Sequence, residues 1–213
     1  MKKRSGKTVN ARGRHRVQSQ VSHEPHLSGI FLVGFMGAGK TSVGLALARY
    51  LNWAFEDLDE RIERLERRSV PEIFRDSGES EFRRAEHAAV RSVLAELEGG
   101  AVRVVALGGG AFVQENNAAL LKAAGVPTVF LDAPVEELWQ RCSKQAVEAG
   151  TERPLLGSIN QFRDLFEVRR NHYLQASLKI PTEGRSFEEI AAEIAEKLGL
   201  KRIEIRTQQG EVE

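Results

Sequence analysis

Eight consecutive residues concentrate the chemistry of this chain: Gly34-Phe35-Met36-Gly37-Ala38-Gly39-Lys40-Thr41. They satisfy G-x-x-x-x-G-K-[ST] in full. Glycines let successive backbone N–H groups turn inward around a phosphate, and a helix start adds roughly half a positive charge. The lysine of such a loop, here Lys40, neutralises β- and γ-phosphate oxygens; the hydroxyl, here Thr41, ligates Mg²⁺. The apolar run Ile30-Phe31-Leu32-Val33 precedes the loop, and an amphipathic stretch with Val43, Leu45, Leu47, Ala48 and Leu51 follows it. That strand–loop–helix setting separates a nucleotide site from an ordinary glycine-rich turn. It specifies a nucleotide but not a reaction, because motors, switches, transporter subunits and kinases all use it.

Four further clusters bear on the reaction, and each has a plain structural reading beside the chemical one. Asp57 and Asp59, in Glu56-Asp57-Leu58-Asp59, stand at the end of a short strand candidate. Ligands gather at the carboxyl ends of strands in an open parallel sheet. One carboxylate there suits Mg²⁺ and the other suits an attacking hydroxyl; helix capping is the alternative. Arg83 and Glu86 are three apart on an expected helix and can pair. A positioned arginine grips a carboxylate through two parallel hydrogen bonds; the alternative is a solvated salt-bridged face. Gly108-Gly109-Gly110 follows the strand candidate Val102-Arg103-Val104-Val105-Ala106-Leu107 and would let a ligand approach backbone, or would merely turn the chain. Arg153 follows the charged, glycine-containing stretch 144–151, whose composition suits a mobile lid or a surface loop.

The elements that must position these residues follow from periodicity. Strands are expected at 30–33, 53–55, 102–107, 128–131 and 178–180, and helices at 40–51, 58–75, 79–98, 115–124, 134–146, 159–176 and 187–199. Strands alternating with helices imply a parallel sheet covered on both faces. The expected fold is therefore a three-layer α/β sandwich on about five parallel strands. The chain has 213 residues, enough for one domain with short tails. Residues 1–28 are basic and nearly devoid of large apolar side chains, and read as a disordered tail. Residues 29–200 form the domain, and 201–213 a polar tail. Lys+Arg number 31 against 30 Asp+Glu, a formal net charge of +1, which gives no general case for nucleic acid or membrane partners. No apolar run reaches the ~20 residues of a membrane span. A single cysteine, Cys142, excludes an intramolecular disulfide and fits a reducing cytosol.

Taken in order, GFMGAGKTSVG, the D-L-D pair, S-G-E-S-E-F-R-R-A-E, L-G-G-G-A, E-R-P-L-L and R-R-N-H-Y resemble the shikimate kinase family, within the nucleoside-monophosphate-kinase-like P-loop proteins. The resemblance covers roughly residues 30–200. It implies a P-loop NTPase fold with a mobile lid, and ATP-dependent phosphorylation of the 3-hydroxyl of shikimate in aromatic amino acid biosynthesis. By the same resemblance Gly37, Ala38, Gly39, Lys40, Thr41 and Ser42 bind the ATP phosphates, with Thr41 and Asp57 serving Mg²⁺. Asp59 takes the proton of the attacking hydroxyl. Arg83, fixed by Glu86, and Arg169 bind the shikimate carboxylate, and the Gly109 and Gly110 backbone touches the ring hydroxyls. Arg153 is the lid arginine on the phosphates, and Arg141 and Arg185 lie toward adenine. Lys40, Asp59 and Arg153 are the catalytic set. The family usually carries Pro and Leu before the motif's tyrosine, where Asn171 and His172 stand here; this leaves Arg170 as an alternative to Arg169. The stretch between Arg141 and Arg153 is also longer than usual. A cytoplasmic monomer is expected. The rival readings are a sugar-acid kinase, such as one for gluconate, and a ligand-sensing domain without turnover.

Overall fold

The computed structural model describes residues 27–149 and 158–202. Five strands form one parallel sheet in the order β2-β3-β1-β4-β5. They are β1 (Gly29–Val33), β2 (Ala54–Asp57), β3 (Arg103–Ala106), β4 (Thr128–Asp132) and β5 (Leu178–Pro181). Between and after them run α1 (Lys40–Leu51), α2 (Leu58–Glu66), α3 (Val70–Glu98), α4 (Glu115–Ala123), α5 (Val135–Ala149), α6 (Ile159–Tyr173) and α7 (Phe187–Lys197). The central strand β1 pairs with β3 through Ile30 and Val104 and with β4 through Leu32 and Val129.

Every residue of β1 is buried, as a strand covered on both faces requires. Its two faces meet different helices. A β-carbon at Gly29 would collide with Leu97 of α3, whereas a β-carbon at Gly44 of α1 would approach Leu32. Residues 29 and 32 point to opposite faces because side chains alternate along a strand. Helix α3 therefore covers one face and α1 the other, and the three-layer sandwich is observed.

Parallel strands align their carboxyl ends. The phosphate loop leaves β1, Asp57 closes β2 and the glycine triplet follows β3, so all three arrive at one edge of the sheet. Phe35 inside the loop is fully buried and packs edge-on against Phe162 and Phe166 of α6, with ring centroids 4.9 Å and 5.5 Å away. This aromatic anchor ties the loop to the helix that carries Arg169.

Several boundaries differ from expectation for identifiable reasons. The helix expected over 58–75 is broken. Arg67 adopts φ 53°, and a new helix starts at Ser69, whose hydroxyl accepts from Glu72 N–H while Glu72 accepts from Ser69 N–H at 2.7 Å. This capping box, followed by Pro71, outweighs the continuing apolar period. Gly78, at φ 80° and ψ 174°, interrupts α3 where the sequence suggests a separate helix starting at 79. Strand β2 lies later than expected, so that Asp57 is its last residue. Helix α5 continues to Ala149, so part of the stretch read as a lid is helical. The remainder of that stretch lies outside the described residues, as do nearly all of the expected tails. Among the described residues no helix is long and apolar enough to cross a membrane.

Candidate active site

At the carboxyl edge of the sheet a cavity of about 310 Å³ is lined by Lys40, Thr41, Asp57, Asp59, Gly108 and Gly109, among others including Ser42. Lys40 Nζ donates to the carbonyls of Gly34 and Phe35 at 2.9 Å and 3.0 Å. The lysine thus closes its own loop. Burial lowers the pKa of its ammonium, while Asp59 and Asp57 act in the opposite sense. Gly39, at φ 84°, opens α1 in the left-handed region with no side-chain cap, leaving the first N–H groups of the helix for a ligand.

The two readings of the acidic pair prove compatible. Asp57 is the N-cap of α2: its Oδ1 accepts from Asp59 N–H at 3.1 Å. Its other oxygen, Oδ2, accepts from the Thr41 hydroxyl at 3.0 Å. One carboxylate oxygen serves the helix and the other joins the phosphate loop. Asp59 is different. Its Oδ1 is buried and has no hydrogen-bond partner among the described residues. Burial first, then the charge of Asp57, push its carboxyl up to about 6, with Lys40 opposing. An ionisable oxygen of this kind, in a cleft beside a phosphate loop, is suited to accept a proton near neutral pH.

The glycine triplet packs directly on this chemistry. A β-carbon at Gly108 would stand 2.5 Å from Asp59 Oδ1, and one at Gly110 would stand 2.6 Å from Arg83 Nη1. Only glycine permits those approaches. Arg83 Nη1 donates to Glu86 Oε2 at 2.9 Å, and the Glu86 side chain is only 1% exposed, so this is no solvated face. Burial pushes the Glu86 carboxyl up to about 7, and the Arg83 guanidinium opposes it. Arg169 lies over the Phe35 ring, its guanidinium carbon 5.8 Å from the centroid, and its Nη1 is 3.6 Å from where a β-carbon at Gly109 would be. Arg170 instead binds Asp132 at 2.9 Å, away from the triplet. Helical geometry settles which of the adjacent arginines turns inward: Arg169 sits four residues before Tyr173, on the same face.

In the sequence Tyr173 stands out only as the last residue of R-R-N-H-Y. It is fully buried, its hydroxyl donates to the Gly109 carbonyl, and burial pushes its phenol up to about 12. It therefore remains a proton donor holding the triplet. The signal was present in its place one helical turn after Arg169, but a buried aromatic in a helix normally means packing alone.

The residues assigned toward adenine are partly engaged. Arg141 donates to the Gly37 carbonyl at 3.3 Å and pairs with Glu137. Arg185 donates to the Pro181 carbonyl at 3.0 Å and pairs with Glu193 at 2.6 Å. Next to it, Phe187 is 41% exposed, with ring carbon Cε1 3.4 Å from where a β-carbon at Gly39 would be. Arg153 lies outside the described residues. His172 lines a separate cavity with Phe112 and Thr128 at the opposite edge of the sheet.

The family model described as shikimate kinase matches residues 36–199. A shikimate kinase of Persephonella marina is 39% identical over 166 residues, covering 78% of this chain and 95% of its own. One from Thermus thermophilus is 42% identical, with coverage of 79% and 89%. Among solved structures, the shikimate kinase of Acinetobacter baumannii in complex with shikimate is 34% identical, with a TM-score of 0.72 over 81% of this chain and 93% of that one. A gluconokinase from Sinorhizobium meliloti, 18% identical at a TM-score of 0.50, shares the fold alone. A sheet edge that gathers Lys40, the buried carboxyl of Asp59 and the Arg83–Glu86 pair, in a chain matched by that model over most of its length, leaves one assignment: the chain belongs to the shikimate kinase family.

Proposed function

We infer that this chain is a shikimate kinase, transferring the γ-phosphate of ATP to the 3-hydroxyl of shikimate on the route to chorismate and the aromatic amino acids. One observation carries the reading. A buried carboxylate oxygen on Asp59, with no hydrogen-bond partner among the described residues, shares a cavity with Lys40 of the phosphate loop and abuts a triplet whose far end touches Arg83.

Residues 37–42 hold the ATP phosphates, with Lys40 on the β/γ oxygens. Thr41 and Asp57 present a hydroxyl and a carboxylate oxygen 3.0 Å apart, hard oxygen donors of the kind Mg²⁺ takes alongside phosphates. Bound there, Mg²⁺ would neutralise charge on the transferring phosphates. Arg83, held by Glu86, and Arg169 clamp the carboxylate of shikimate, and the Gly109 and Gly110 backbone meets its hydroxyls. Asp59 accepts the proton of the attacking hydroxyl while that oxygen bonds to γ-phosphorus and the bond to the β–γ bridging oxygen breaks, releasing ADP. Most of the acceleration is positioning and charge neutralisation, since phosphoryl transfer needs little covalent help. Arg153, outside the described residues, adds positive charge to the phosphates in this reading. Arg141 and Arg185 flank the base once their present partners yield. The enzyme works in the cytoplasm as a monomer.

Two arginines aimed at one carboxylate do not by themselves exclude gluconate; against a gluconate kinase stands membership of the shikimate kinase family. Against a sensor without turnover stand the retained Lys40, Asp57 and Asp59. A coupled ADP-release assay with ATP and Mg²⁺, run against shikimate, gluconate and no acceptor, tests all three. Turnover with shikimate alone is expected; acceptor-independent hydrolysis or preference for gluconate overturns the reading.

A further inference from the structure

Asn117 is a wholly buried polar side chain with an unusual assignment. Its Nδ2 donates to the carbonyl of Ala111 at 3.0 Å. Its Oδ1 lies 2.7 Å from His87 Nδ1. With the amide nitrogen turned to a carbonyl, Oδ1 must accept, so His87 Nδ1 carries the hydrogen. Ala111 begins the short 3-10 turn that follows the glycine triplet, and its own N–H donates to the Gly108 carbonyl at 3.0 Å. Asn117 therefore grips the chain one residue beyond Gly110.

The triplet is thus held from two helices. Tyr173 of α6 takes the Gly109 carbonyl, and Asn117 of α4 takes the Ala111 carbonyl. Its inner side touches Asp59 and Arg83. Helix α3 supplies neighbouring anchors: Glu86 fixes Arg83, and His87, the next residue, fixes the Asn117 amide. Three glycines in succession have little intrinsic preference for one conformation. Their backbone must be fixed by partners if it is to present groups to a ligand at sub-ångström precision.

We propose that Asn117, oriented by His87, is a positioning residue for the acceptor subsite: it sets the glycine triplet against Asp59 and Arg83 without itself touching substrate. This rests on the shikimate kinase reading and adds to it a specific dependence of acceptor binding on α4. Asn117→Asp keeps an acceptor for His87 but places an anionic oxygen against the Ala111 carbonyl. His87→Phe removes the orienting donor, and His87→Gln retains an N–H donor.

The test uses the full chain with ATP, Mg²⁺ and shikimate, and measures both Michaelis constants. Asn117→Asp is expected to raise the KM for shikimate roughly tenfold, the factor that one lost buried hydrogen bond represents, with the KM for ATP within about twofold. His87→Phe should shift in the same direction, and His87→Gln should restore most of the loss. Hydrogen exchange gives a readout independent of turnover. Peptides spanning 108–114 should exchange faster in Asn117→Asp and His87→Phe, while peptides spanning 34–41 should not. Equal rises in both Michaelis constants, or a lowered melting temperature with unchanged kinetics and exchange, overturn the proposal. If Asn117→Asp does not fold, the His87 pair decides in the same way. If wild-type protein fails to turn over shikimate, the functional reading falls and the exchange experiment still judges the loop.

Discussion

The carboxylate of Asp59 fills the space that a side chain on Gly108 would need: Oδ1 lies 2.5 Å from where the β-carbon would stand, and Cγ 3.2 Å. Gly108→Ala must therefore displace the tip of Asp59. The tip is the movable partner, so the fold should tolerate the change, while the proposed proton acceptor is moved by about an ångström. The expectation is a kcat lower by about 10²-fold, with ATP affinity retained and the melting temperature nearly unchanged. Steady-state kinetics beside a thermal melt check it; unaltered kcat would detach Asp59 from the chemistry.

The same burial gives Asp59 a pH signature. Its carboxyl is raised from 3.8 to about 6, chiefly by burial and then by the charge of Asp57. The base form is required, so kcat/KM for shikimate should fall tenfold per pH unit below about pH 6. Asp59→Asn should lose that limb along with most of kcat. Stability should move the other way. A carboxyl that binds protons more tightly folded than unfolded contributes fully below the unfolded value near 4. The contribution disappears as pH rises through about 6. At pH 8 Asp59→Asn should therefore be more stable than wild type by about 1–3 kcal/mol, with the difference closing toward pH 4. Urea unfolding at the two pH values measures it.

The phosphate loop, the parallel sheet and the Arg83–Glu86 pair were legible because each rests on local spacing. A loop motif between a buried strand and a helix has one common outcome, and residues three apart on a helix must be neighbours. Asp57 resisted assignment because a cap and a metal-side acid use the same residue at the same place; here Oδ1 serves the cap while Oδ2 accepts from Thr41. The break at Arg67 was hidden by an apolar period that runs on past Ser69. Tyr173 and Asn117 escaped because their partners, Gly109 and Ala111, lie 64 and 6 residues away and are backbone carbonyls, which no side-chain pattern records. The cluster around Glu56 escaped for a different reason: its partners are side chains, but Arg103 reaches it from a strand 47 residues on. That carboxylate is 8% exposed and meets Arg61 and Arg64 at 2.9 Å each, with Arg103 beside it from the neighbouring strand.

Glu86 should separate holding an arginine from holding the fold. Its Oε2 binds Arg83 at 2.9 Å, while its Oε1 is buried without a partner among the described residues. Glu86→Gln keeps the shape and an acceptor oxygen but removes the charge that fixes Arg83. The KM for shikimate should rise about tenfold with little change in stability, since burial already disfavours the ionised form. Glu86→Ala also opens a cavity and leaves Arg83 without its inner partner, and should lower stability by about 3 kcal/mol. Kinetics and denaturant unfolding on both variants distinguish the two effects; a Glu86→Gln protein with unchanged acceptor kinetics would remove Arg83 from the acceptor site.

Arg169 and Arg170 are adjacent in sequence but meet different partners, which makes them a matched control for each other. Arg170 Nη2 meets Asp132 Oδ2 at 2.9 Å, and Lys179 meets the same oxygen at 2.9 Å. With Lys179 still neutralising Asp132, Arg170→Ala should cost less than about 1 kcal/mol of stability and leave kinetics alone. Arg169 stacks on Phe35 beside Gly109, with Nη1 3.6 Å from where a β-carbon at Gly109 would be and no ion-pair partner among the described residues. Arg169→Ala should raise the KM for shikimate by about 10- to 100-fold, the factor for a charge-assisted contact, while the KM for ATP changes little. Arg169→Lys should recover only part of this, because an ammonium can neither stack on the ring nor offer two parallel donors to a carboxylate. If Arg170→Ala raises the acceptor KM and Arg169→Ala does not, the inward arginine has been misassigned, and the two-arginine pocket must be rebuilt around Asp132.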